Sequence, residues 1–164
     1  MSEFRFQQVD FKQFTAAIGT VLDLLRQDAV AGAEKSLPPP YPRIFVLSPS
    51  EAAHQLLDNG LWTWSKEIFL PHGTANDPYP ELQPVFLAWS PPDAAAPNEL
   101  ITPPNAATIL LRIDGAGSLP NPNPYTTIID VFDRQSEGSK QAARGRFRAA
   151  KSDGHKVMFV EVAG

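Results

Sequence analysis

Residues 139–151, SKQAARGRFRAAK, carry Lys140, Arg144, Arg146, Arg148 and Lys151 and no acid. Their charge of +5 stands against -4 for the whole chain, so the remaining residues sum to -9. One positive site on an acidic body points to a local anionic ligand. It argues against general nucleic-acid binding, because counterion release rewards a broadly basic surface. Set on a helix at about 100° per residue, Lys140, Arg144, Phe147, Arg148 and Lys151 fall within about 100° of one another. Ala142, Ala143, Ala149 and Ala150 take the other side, which is expected to pack on a sheet, with Phe147 at the seam. A part-buried aromatic ringed by guanidinium and ammonium groups suits a ligand that combines an apolar side chain with a carboxylate, which arginine holds bidentately. Arg146 projects among the alanines and is expected to be structural, paired with Asp130 or Asp133. Gly145 costs roughly 1 kcal/mol in a helix interior and permits close approach of a partner or a neighbouring strand. The plainer alternative is a solvated basic face with Phe147 as a core anchor.

A second unusual stretch is LWTWSKEIFLPHG, Leu61 to Gly73. Trp62, Trp64, Phe69 and Pro71 crowd onto one connection, and such aromatics are enriched in interface hot spots. Rings that merely close the end of the core would read the same way one at a time. Four together predict partial exposure.

Signs of catalysis are sparse. His54, His72 and His155 lie at no metal-binding spacing, and the absence of cysteine removes thiolate ligands and disulfides. His54 reads as a surface or capping residue. Gly115-Ala116-Gly117 lacks the third glycine of a dinucleotide turn, and SLPNPNP follows where a helix is needed. Asp130 and Asp133 invite comparison with an acid pair at a strand end, but a pairing of Asp130 with arginine is the simpler reading. An enzyme acting on an anionic metabolite would need His72 to converge with Asp77 or Asp130 in a pocket. A direct nucleic-acid-binding domain would use the basic helix itself.

These residues need elements to hold them. Length and a balanced composition, 43% hydrophobic and 20% charged, suit one soluble domain over residues 1–164. No apolar run is long enough to cross a bilayer, and MSEFRFQQVD lacks a signal-peptide core, so a cytoplasmic location is expected. Phe4 and Phe6 alternate as in a strand. Phe11, Phe14, Ile18, Val21, Leu22, Leu25 and Ala29 form one stripe, predicting an amphipathic helix over 11–31. Pro38, Pro39, Pro40 and Pro42 make a stiff connection. Ile44–Leu47 reads as a strand covered on both faces. Ser48-Pro49-Ser50-Glu51 then reads as a capping box with proline at the first helical position, and Asn59-Gly60 as a left-handed stop. Further strands are expected at Val85–Trp89, Thr108–Ile113, Thr127–Phe132 and Lys156–Val162, with long proline-rich loops between. Strand-helix alternation predicts an α/β domain with a largely parallel or mixed sheet flanked by helices.

Two stretches resemble the chi subunit of bacterial DNA polymerase III. LWTWSKEIFLPHG is similar to that family's leucine-tryptophan and phenylalanine-x-proline-histidine block, and DVFDRQSEGSKQAARGRFRAAKSDGH to its closing strand and arginine-rich helix. The likeness is specific over about residues 53–73 and 128–154, and segments 36–42 and 91–105 look like insertions. The resemblance implies a Rossmann-like fold and a non-catalytic clamp-loader subunit with no cofactor. It also implies a link between the psi subunit and the acidic tail of single-stranded-DNA-binding protein, which ends in a phenylalanine carboxylate. On that basis Lys140, Arg144, Arg148 and Lys151 attract the tail while Phe147 and Phe132 wall its ring. Trp62, Phe69, Pro71 and His72 face psi or a helicase-like protein.

Overall fold

The computed structural model describes residues 2–33, 43–65, 72–92, 94–95, 97–119 and 123–160. Six strands form a single sheet in which every pairing is parallel: β1 (Glu3–Val9), β2 (Ile44–Ser48), β3 (Val85–Trp89), β4 (Ile109–Ile113), β5 (Thr127–Asp133) and β6 (Lys156–Val160). Their order is β3-β2-β4-β5-β1-β6. The helices are α1 (Phe14–Ala33), α2 (Glu51–Gly60), the short α3 (Asn98–Ile101) and α4 (Glu137–Ser152). The α/β fold is thus the expected one, with the sheet parallel throughout and flanked on both faces. The segments 36–42 and 161–162, like Phe69 and Pro71, lie outside the described residues.

Strand alternation sorts the core into two chemistries. One face of the sheet is aliphatic: Val9, Val46, Leu87, Leu111, Ile129 and Val131 pack with Ile18, Val21 and Leu22 of α1 and Leu57 of α2. The other is rich in aromatics: Phe4, Phe6, Phe45, Phe86 and Phe132 pack with Leu100 of α3 and with Ala143 and Ala150 of α4. Since β1 leads into α1 and its neighbour β5 into α4, adjacent strands send their chains to opposite faces. Ligands of doubly wound sheets bind beside the carboxyl ends of such strands.

Several local expectations shift. A 3-10 turn over Phe11–Gln13, capped by Asp10 accepting from Lys12 N at 3.0 Å, precedes α1. Ser50, not Ser48, caps α2, its Oγ accepting from Ala53 N at 3.1 Å. Pairing of Ser48 with Trp89 keeps Ser48 extended as the end of β2, which leaves Pro49 outside the helix. Gly60 is helical, and Leu61 follows at φ -65, so no left-handed stop forms. Glycine is needed there for another reason: a Cβ would stand 2.6 Å from Thr15 Cγ2 of α1. The described residues of the proline-rich stretch 91–105 are tied to the sheet and its loops. Tyr125 donates its hydroxyl to Leu100 O at 2.7 Å, and buried Asn105 Nδ2 donates to Ile44 O and Gln83 O.

Candidate functional site

Helix α4 starts where Ser136 Oγ accepts from Ser139 N at 3.2 Å, with Glu137 in the first turn and Lys151 in the last, charges that suit the helix dipole. It rests on the sheet through small residues, Ala143 and Ala150, both buried. Ala142 and Ala149 are exposed, so the helix is turned from the orientation expected when all four alanines face the sheet. The turn brings Phe147 against the aromatic core and leaves Arg146 beside it, half-buried. Arg146 Nε donates to Asp130 Oδ2 at 2.7 Å and its Nη2 to Asp130 Oδ1 at 2.8 Å, a bidentate pair on the sheet side of the helix. The Asp130 side chain is 2% exposed. Burial pushes its carboxyl above the ordinary carboxylate range, while the hydrogen bonds and charge of Arg146 and the charge of Arg112 pull it down. Asp133 serves a turn instead, accepting from Gln135 N at 3.0 Å.

With Arg146 tethered, the opposite flank of α4 overhangs the β6 side of the sheet. There lies an open groove of about 410 Å³ lined by Phe6, Gln8, Phe132 and Phe159 from the strands and by Lys140, Ala143, Arg144, Phe147 and Arg148 from α4. Apart from Phe6, at the middle of β1, the strand residues fall in the carboxyl halves of β1, β5 and β6. The floor is an aromatic file: Phe6 and Phe147 ring centres are 5.2 Å apart, and Phe132 and Phe159 are 6.3 Å apart, both tilted. Phe159 is 50% exposed. Arg144 and Arg148 are exposed above it, and Lys140 reaches Glu137 at 3.3 Å, a weak surface pair. An apolar floor beneath guanidinium and ammonium groups accepts a ring below and carboxylates above.

Five of the six residues singled out from the sequence for this site therefore meet around one groove: Lys140, Arg144, Phe147, Arg148 and Phe132. Lys151 does not line it, lying almost a turn beyond Arg148. Phe6, Gln8 and Phe159 are additions. The alternation of Phe4 with Phe6 gave the face of Phe6, but its nearness to α4 depends on β1 lying between β5 and β6.

The aromatic connection after α2 divides into two roles. Trp64 packs on the aliphatic core against Gly19 of α1, where a Cβ would meet its ring at 2.7 Å. Trp62 is 50% exposed and lies over His72, with ring centres 4.1 Å apart. His72 is buried, its Nε2 3.0 Å from Asp58 O. It does not converge with Asp77, which accepts from Thr74 N at 2.7 Å, or with Asp130 on the other face. The Gly115–Gly117 turn likewise offers no phosphate cradle, because Ala116 N donates to Ile113 O, Gly117 N to Pro91 O and Ser118 N to Ala94 O, while Arg112 holds the carbonyls of Gly115, Ala116 and Gly117.

Among the described residues, no helix is long and apolar enough to cross a membrane. A relative from Rickettsia prowazekii (strain Madrid E), "Probable DNA polymerase III subunit chi", is 33% identical over 66 residues, a stretch covering 40% of this chain and 34% of that protein. The matched stretch thus spans about a third of the relative's length. The sequence model of the family described as "DNA polymerase III chi subunit, HolC" matches residues 7–158, nearly the whole chain, taking in Trp62 and every residue that lines the groove except Phe6 and Phe159. The chain belongs to the DNA polymerase III chi subunit family.

Proposed function

We propose that this protein is a cytoplasmic, single-domain adaptor without catalysis of its own, holding the clamp loader to single-stranded-DNA-binding protein by gripping that protein's acidic, phenylalanine-ended tail. The observation that supports this reading most is the groove's composition: an open aromatic floor with Arg144, Arg148 and Lys140 along one rim. A terminal phenylalanine would lay its ring between Phe132, Phe147 and Phe159, and the carboxylates before it would meet the cations of α4. Lys151, outside the groove, would add long-range attraction. Arg146 has a different task, since its charge is spent on Asp130.

The exposed face of Trp62, over His72, is the proposed contact for the psi subunit or for a helicase-like protein, with Phe69 and Pro71 following in the sequence. An aromatic on a buried, well-held support is the kind of residue that anchors an interface.

Calorimetry with a synthetic peptide of acidic residues ending in phenylalanine tests the groove. Arg144→Ala is expected to weaken binding by roughly tenfold or more, as the loss of a charge-assisted contact does. Unchanged affinity would sink the assignment. Naked oligonucleotides at physiological salt are expected to bind little; tight binding there would favour direct nucleic-acid recognition by α4. Trp62→Ala is expected to spare the peptide and release the clamp-loader partner in co-purification.

A further inference from the structure

The two edges of the sheet are treated differently. At β3, Gly73 N donates to Val85 O at 3.0 Å and Leu87 N donates to Gly73 O at 2.8 Å, so the chain itself covers part of that edge. At β6, pairing runs to β1 alone among the described residues. An uncovered edge is a template for another extended chain.

The register says which groups face outward. Glu3 N donates to Thr126 O and Arg134 N donates to Val9 O, so the odd-numbered residues of β1 turn their peptide groups toward β5. Phe4, Phe6 and Gln8 therefore turn theirs toward β6. Phe4 stands opposite Val157, and Phe6 opposite Phe159. In a parallel ladder each such residue bonds to the neighbours of its opposite number, here Lys156, Met158 and Val160. That leaves Val157 and Phe159 with N–H and C=O directed away from the sheet. Their side chains face α4: Phe159 lines the groove, and Val157 packs on the aromatic cluster. Among the described residues, the same two thus supply unpaired backbone groups and one wall of the site.

We infer that an acidic peptide binds here as an added strand along β6, its backbone paired with Val157 and Phe159. Alternate side chains of the peptide rise toward Lys140, Arg144 and Arg148 on the overhanging flank of α4, and the terminal ring enters the groove. Charge selects the occupant. The edge is flanked by these cations and by exposed Lys156, whose nearest acid, Glu3, is 4.0 Å away. The inference rests on the reading of the groove as an acidic-tail site and adds how the tail is held. Main-chain pairing asks for an extended peptide with acids at alternate positions, and it leaves the intervening residues free to vary.

Amide exchange followed by NMR on the full chain, with the same acidic peptide ending in phenylalanine, tests the strand. Without peptide, the Val157 and Phe159 amides are expected to exchange faster than that of Met158, which is bonded into the sheet. Saturating peptide is expected to slow both by about tenfold or more, the scale of one gained hydrogen bond. Peptides N-methylated at alternate positions give the complementary readout: about tenfold weaker binding at one parity and unchanged binding at the other. Binding with unchanged exchange at Val157 and Phe159, or equal losses at both parities, overturns the added strand and leaves the groove reading standing. No binding of the unmodified peptide overturns both.

Discussion

Replacing Arg146 by methionine isolates a buried charge whose consequences the geometry fixes closely. The substitution keeps most of the side chain's apolar bulk and removes the two hydrogen bonds of 2.7 and 2.8 Å that hold Asp130. Asp130 is then left almost wholly buried, with Arg112 as its remaining cation. Arg112 supplies charge but is already committed to three carbonyls of the 115–117 turn. Breaking a buried pair from one side costs about 3–5 kcal/mol, and the charge of Arg112 places this case toward the lower end. In a chain of 164 residues that loss lowers Tm by on the order of 10 °C. The pH dependence carries a sign. Asp130 already sits above its ordinary value of 3.8, and loss of Arg146 removes the largest opposing influence, so the carboxyl rises further. Between the unfolded value and that higher one, the folded variant binds more protons than the unfolded chain, so its stability falls as pH rises through the window. The deficit against the parent is therefore largest near neutrality and shrinks toward pH 4. Adding Asp130→Leu is expected to restore most of the loss. Thermal melts and urea unfolding across pH measure all of this. A loss under about 1 kcal/mol at pH 7, or a deficit that does not shrink on acidification, would refute the assignment of Arg146 as the tether of α4.

Other consequences are equally open to measurement. Phe159→Ala is expected to weaken peptide binding by roughly tenfold while leaving Tm nearly unchanged, because its ring is half-exposed and aromatic contacts contribute about 0.5–1.5 kcal/mol beyond burial; equal loss of stability would contradict it. Peptide affinity should fall steadily as salt rises, and salt-independent binding by calorimetry would argue against charge attraction by α4. Burial holds His54 below its ordinary value of 6.5, against Asp58, the Ala88 backbone and Glu51, which raise it. Its contribution to stability is therefore present above 6.5 and lost as pH falls through the lower folded value, so His54→Gln should flatten that part of a pH–stability profile. Gly60→Ala should destabilise by about 1–2 kcal/mol despite the better helix propensity of alanine, since the new Cβ meets Thr15; a stabilised variant would show that α1 moves aside freely.

The sequence declared most elements because each carried a local signal: the heptad-like stripe of α1, the apolar run of β2, the basic run of α4. Three misreadings share a cause, which is that tertiary contacts chose between equivalent local signals. Ser48 and Ser50 can each cap a helix, and strand pairing assigned Ser48 to β2. Gly60 suits a left-handed turn or a crowded crossing, and Thr15 decided for the second. Four alanines could all face the sheet, and packing of Phe147 on the aromatic core went with two. The cations of the groove were visible because they share one helix. Phe6, Gln8 and Phe159 were not, because they reach it from two strands far apart in the chain, made neighbours only by the order of the sheet.

The aromatic file on the α4 face never quite ends inside the protein. It runs from Phe4 through Phe6 to Phe147, and beside it from Phe132 to Phe159, where it opens to solvent. The groove is in this sense an unfinished margin of the hydrophobic core, which on the proposed reading an incoming ring would complete. Recognition and folding would then draw on the same atoms. A ligand at about a hundred times its Kd would add about 2.7 kcal/mol to the stability of the whole domain, so thermal shift becomes a binding assay for this site. Selection can adjust the two independently at Arg144 or Phe159 but not at Phe6, Phe132 or Ala143, where any change made for the ligand is also a change to the fold.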